Sequence, residues 1–177
     1  MRETLEAIAR ECEFEFMGVA PAGELQTLPA VRDMCGSGTC QIYGHSWACP
    51  PACGTIEEFQ ERIDTFDNCL VVQTVGELED EFDFETIMET EHEHKARFTE
   101  FAKRVNELPE ETMLLAAGTC TICKTCTYPD ALCRFPDKRM SSMEAAGLVV
   151  ADVCTKAGIP YNHGKNTIAF SSCVMYR

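Results

Sequence analysis

The sequence predicts an α/β or α+β fold around a sheet of about four strands. Two observations lead there: helical and strand-like apolar patterns alternate along the chain, and the composition, 45% hydrophobic and 25% charged, is that of an ordinary globular protein. Leu5, Ile8 and Ala9 recur at helical spacing and give a short amphipathic helix over 4–12. Phe14, Phe16, Gly18 and Ala20 alternate as in a strand, with a turn at Pro21-Ala22-Gly23. A second helix is expected over 25–34. Thr55-Ile56-Glu57-Glu58 is a capping box, in which a threonine and a glutamate three residues on satisfy each other's backbone N–H; it opens a helix towards Phe66. The apolar, β-branched run 69–75 reads as a buried strand.

One long helix is predicted over 84–108, with Ile87, Met88, Phe98, Phe101, Ala102, Val105 and Leu108 on its buried face and Pro109 closing it. Residues 113–118 form a strand. A second capping box, Ser141-Ser142-Met143-Glu144, opens a helix through Met143, Ala146, Val150 and Val153 to Gly158. A closing strand covers 167–175. No repeat or low-complexity linker interrupts the pattern, so residues 1–177 are read as one domain carrying loops at 35–53 and 120–133.

Charge narrows the function classes. The formal net charge is −14, with 29 acidic and 15 basic residues. Nucleic-acid binding draws most of its affinity from neutralised phosphates and needs a basic footprint. An anionic membrane would likewise repel the chain. Neither is an expected partner, whereas docking to a basic protein is compatible with the acidity, as is a plain solvated surface. No apolar run approaches the roughly 20 residues of a membrane helix. The start, Met1-Arg2-Glu3-Thr4-Leu5-Glu6, lacks the apolar stretch of a secretory signal, which predicts a cytoplasmic protein.

Twelve cysteines are the unusual feature. In a reducing cytosol they point to metal binding or redox chemistry rather than disulfides. Cys120, Cys123 and Cys126 are each separated by two residues, and Cys133 follows after six more. Three thiols at this spacing can curl round an iron–sulfur cube, as in bacterial ferredoxin runs, and the longer gap lets Cys133 close the same cluster. A four-cysteine zinc site is the alternative. Cys35, Cys40, Cys49 and Cys53 form a looser block. Gly36, Gly38 and Gly44 permit tight turns there, and Cys49-Pro50-Pro51-Ala52-Cys53 presents two thiols on a stiff segment. The positive end of the helix from Thr55 would stabilise anionic thiolates. Tyr43 and Trp47 would shield the cluster, and His45 is a substitute ligand.

Cys12, Cys69, Cys154 and Cys173 fall in helices or strands and are read as core thiols, with Cys173 the one to follow. His92 and His94, two apart on a helix, do not make a metal pair, and Glu89, Glu91 and Glu93 beside them read as a solvated face. Lys124 and Arg134 either offset cluster charge or bind an anionic substrate or partner. His163-Gly164-Lys165-Asn166 is a polar loop able to line a pocket.

Three segments carry a family likeness: Cys49-Pro50-Pro51-Ala52-Cys53-Gly54, the run from Cys120 through Cys133-Arg134-Phe135-Pro136, and Ser142-Met143-Glu144-Ala145-Ala146-Gly147. Through them the chain resembles the cysteine-rich family labelled "predicted metal-binding protein", found mainly in anaerobic bacteria and archaea. The resemblance implies metal binding and an anaerobic setting and names no reaction. Together the residues lead to an expectation of two [4Fe–4S] clusters, held by Cys35, Cys40, Cys49 and Cys53 and by Cys120, Cys123, Cys126 and Cys133. Their expected use is single-electron transfer with a redox protein partner. Two alternatives stand beside it: an enzyme whose open-site cluster acts on a small anionic substrate, and a zinc-bound structural or regulatory protein.

Overall fold

Alternation along the strands assigns side chains to two faces of one sheet. The computed structural model describes all residues, 1–177. Its strands are β1 (Phe16–Pro21), β2 (Asn68–Glu77), β3 (Met113–Leu115) and β4 (Thr167–Tyr176). They pair in the order β1-β2-β4-β3, antiparallel throughout, which settles the class as α+β. The helices are α1 (Arg2–Glu11), α2 (Pro29–Gly36), α3 (Ile56–Ile63), α4 (Phe84–Val105) and α5 (Val150–Lys156). Leu70, Val72, Val174 and Tyr176 bury against Leu5 and Ile8 of α1 and Phe98, Phe101 and Val105 of α4. On the other face Cys69, Val71, Cys173 and Met175 pack with Ile63 of α3, Val153 and Cys154 of α5, and Met143 and Leu148. None of the helices is long and apolar enough to cross a membrane.

The first capping box is present as expected: Thr55 Oγ1 accepts from the Glu58 N–H at 3.1 Å, and Glu58 Oε2 accepts from the Thr55 N–H at 2.7 Å. The second is absent. Ser142 Oγ accepts instead from the Ala145 N–H at 3.1 Å, and the chain turns through Gly147 at φ +89°. The Gly147 carbonyl accepts from the Leu28 N–H at 2.7 Å, at the start of α2. That tertiary bond holds the turn, so α5 begins only at Val150. α2 likewise begins at Pro29, later than predicted, because proline suits the first helical position.

In α4 the buried stripe is shifted. Thr90, His94, Phe98, Phe101, Ala102 and Val105 face inward, while Met88 is 69% exposed. The side-chain carboxylate of Asp83 caps this helix by accepting from the Thr86 N–H at 3.1 Å.

α5 lies directly on β1 at Gly18. A Cβ there would come within 2.1 Å of the Ala157 carbonyl oxygen, whereas one at Gly23 would meet nothing within 4 Å. Gly18→Ala is therefore expected to lower the unfolding free energy by about 3 kcal/mol. Urea denaturation should show that loss with Gly23→Ala nearly unchanged, and equal midpoints for the two variants would refute the close approach.

Candidate metal centre

The first cysteine loop leaves the end of α2, which carries Cys35 in its last turn. The chain then folds back through turns: the N–H groups of Ala52 and Cys53 donate to the Cys49 carbonyl at 2.9 and 3.1 Å, and the Gly44 N–H donates to the Pro50 carbonyl at 3.0 Å. Gly44 takes φ +72°, a conformation that glycine reaches without strain. Arg32 ties the loop down, donating to the Gly54 carbonyl at 2.7 Å and to the Ala145 carbonyl, with its guanidinium over the Phe59 ring.

The four thiols of this loop share one electrostatic neighbourhood. Burial pushes the Cys35 thiol above its usual range, and the neighbouring Cys40 and Cys49 raise it further. Burial does the same to Cys53, opposed by Arg32 and reinforced by Cys49 and Cys35. Cys49 is also raised by burial, against hydrogen bonds from Thr119 and Ser46; Cys40 and Cys120 add to the rise. Cys35, Cys49 and Cys53, which resist ionisation one beside another, are suited to a cation that neutralises them together.

The second loop begins and ends at one point. The Ala116 N–H donates to the Ser141 carbonyl at 2.9 Å, and Ala116 bridges Ser142, so residues 117–141 leave and return at the end of β3. Within the loop Cys120, Cys123, Cys126 and Cys133 line a single cavity of about 480 Å³. Burial opposes ionisation of Cys126, but the backbone N–H groups of Tyr128, Trp47 and Thr127 and the Ser46 hydroxyl outweigh it and lower the thiol. Donors aimed at sulfur are the usual surroundings of a metal-bound thiolate.

The two loops touch, which the sequence pattern did not reveal. Trp47 Nε1 donates to the Ala131 carbonyl at 3.0 Å, Arg139 Nη1 donates to the Trp47 carbonyl at 3.2 Å, and the Trp47 and Tyr128 rings meet edge-on at 4.9 Å. Cys49 Sγ lies 3.3 Å from Thr119 Oγ1. Segment 45–48 is thus a wall of the second cavity. Trp47, expected over the first block, serves this second cavity, and His45 lines it too. Lys124 and Arg134 also line it, joined by Arg139, which the sequence reading did not single out; no aspartate or glutamate does.

The other expected participants lie elsewhere. His163 and Lys165 are not among the cavity residues; His163 Nε2 meets Gln73 Oε1 at 3.1 Å and packs edge-on against Phe16. The positive end of α3 is answered by its own Glu57 and Glu58, so it offers the thiols little. Cys12, Cys69, Cys154 and Cys173 are all core residues. Cys173 is held well above the thiol range by its hydrogen bond with Cys69 and by burial.

No group of three or more His, Cys, Asp or Glu side chains is placed to hold a single metal ion. The four thiols of the second loop line the cavity without closing on an ion-sized point. A mononuclear site would need them to move inward.

Neither a curated protein nor a solved structure matches the chain. Residues 19–176, covering both cysteine loops and all four strands but the first part of β1, match one family: the chain belongs to the predicted metal-binding protein family DUF2284.

Proposed function

We propose that this protein holds two [4Fe–4S] clusters, one per cysteine loop, and passes single electrons between protein partners. The observation that carries the reading is the common cavity of Cys120, Cys123, Cys126 and Cys133, walled by the loop that bears Cys35, Cys40, Cys49 and Cys53. Each loop supplies four thiols, enough to ligate a cube fully without a substrate position. Bound clusters would supply one-electron chemistry. The chain's own part is to present the thiols, to direct the N–H groups of Trp47, Thr127 and Tyr128 at Cys126, and to cover the second site with Trp47. Contact between the loops at Cys49 and Thr119 gives electrons a short route from one site to the other.

Protein purified without oxygen is expected to be brown, with about eight irons and about eight acid-labile sulfides per chain. Iron, zinc and sulfide analysis beside the visible spectrum tests this. A colourless protein with about one or two zinc ions would overturn the redox reading and leave a structural metal protein.

A further inference from the structure

The second cysteine loop is a cationic island on an acidic protein. Between Cys120 and Arg139 the chain carries Lys124, Arg134, Lys138 and Arg139 against Asp130 and Asp137, while the whole chain is at −14. Lys124, Arg134 and Arg139 line the cavity, and no carboxylate lines it. Arg139 is committed to Trp47 and Arg134 donates to the Thr125 carbonyl at 3.0 Å, both with charge to spare. Lys124 is exposed.

Apolar side chains surround these charges. Ile122 and Phe135 on the cavity are each 41% exposed, Ile42 on the facing loop is 37% exposed, and Leu132, next to the ligand candidate Cys133, is 85% exposed. Large apolar side chains gathered in solvent mark an interaction surface. Cluster charge accounts for cations that line the cavity, but not for the exposed apolar side chains beside them. A small anion would use the cations but gain nothing from Leu132, which is 85% exposed and is not part of the cavity lining.

We propose that the mouth of the second cysteine loop is the docking surface for an electron-transfer protein with an acidic face, its apolar centre resting on Leu132, Ile122 and Phe135 and its carboxylates meeting Lys124 and Arg134. This rests on the two-cluster reading. The screening length at physiological salt is about 8 Å, so a docked partner responds chiefly to the charges nearest the cavity mouth, with Glu91 and Glu100 of α4 bordering the loop at Thr121. The step is one electron, leaving the partner's reduced centre and accepted at the second site, with no bond made or broken.

A small acidic [2Fe–2S] ferredoxin, reduced beforehand, serves as the probe in stopped-flow mixing with the holoprotein. Reduction by ferredoxin should slow about tenfold as salt rises from about 0.02 to about 0.5 M. The double variant Lys124→Glu/Leu132→Glu should slow the low-salt rate about tenfold per loaded cluster, loading being read from its iron and sulfide. Ferredoxin rates indifferent to that variant, or indifferent to salt, would overturn the docking proposal and leave the clusters standing. Inhibition by phosphate at fixed ionic strength, with no effect of Leu132→Glu alone, would also overturn it, in favour of a small-anion site. Absence of iron and sulfide would instead sink the two-cluster reading. Ferredoxin binding to the colourless protein by calorimetry, lost in the double variant, would then still support the surface, and no binding would remove it.

Discussion

On the proposed two-cluster reading, replacing Cys123 with serine is expected to remove one cluster and spare the other. Iron should fall from about eight to about four per chain, with the broad visible absorbance near half its parent value. Cys123 is the middle thiol of its run and lines only the second cavity. The first-loop thiols feel one another, and Cys49 also feels Cys120 of the second loop. Loss of a central ligand should therefore empty the second site and leave Cys35, Cys40, Cys49 and Cys53 loaded. If both clusters vanish while the protein stays folded by circular dichroism, the independent-site assignment is wrong, and the wall at 45–48 couples the two.

The second large effect concerns acid stability and His94. Its ring is fully buried, with Nδ1 3.0 Å from Thr74 Oγ1 and Nε2 2.7 Å from Ser172 Oγ. Burial, followed by the charges of Arg97 and Lys95, lowers its pKa from 6.5 to about 3. The folded protein thus keeps a neutral imidazole where the unfolded chain takes up a proton. For a group whose folded pKa is depressed, the contribution is complete above the unfolded value of 6.5 and is lost as pH falls from there towards 3. The slope is about 1.4 kcal/mol per pH unit, so about 2 kcal/mol should disappear between pH 7.5 and pH 5. Urea unfolding of the parent and of His94→Gln at both pH values checks this, since other acid-sensitive groups are common to the two. The variant should start less stable, with Thr74 and Ser172 imperfectly satisfied, and should lose about 2 kcal/mol less on acidification. Equal losses would mean that His94 is not held neutral by the fold.

Local signals were legible where local physics decides the outcome. Thr55 and Glu58 are three residues apart and need no partner beyond each other, so their capping box could be read directly. The run at Leu70, Val71 and Val72 is apolar on both faces and became the central strand β2. The grouping of Cys120, Cys123, Cys126 and Cys133 followed from spacing and appears as one cavity. What failed depended on distant chain. Ser141 and Glu144 had the letters of a cap, yet the bond from Leu28 to Gly147 turned that stretch away from helix. His94 stands between Glu93 and Lys95 in sequence, where nothing local signals burial, and only Thr74 and Ser172 on the sheet make its burial tolerable. Trp47 sits between first-loop cysteines in sequence but is held over the second loop by Ala131, Tyr128 and Arg139, a placement with no signature in its neighbours.

The clamp at Ala116 and Ser141 has a consequence for how the molecule tolerates change. A segment that departs and returns at one point burdens the sheet only with the entropy of closing a loop, which rises by about 0.6 kcal/mol for each doubling of its length. Stability of the strands is therefore nearly indifferent to how many residues lie between the clamp points. Insertions and deletions there act on the chemistry the loop presents and hardly on whether β3 and β4 pair. The stretch 117–141 is thus an exchangeable cartridge, in which spacing between thiols can drift while the body that carries it stays the same.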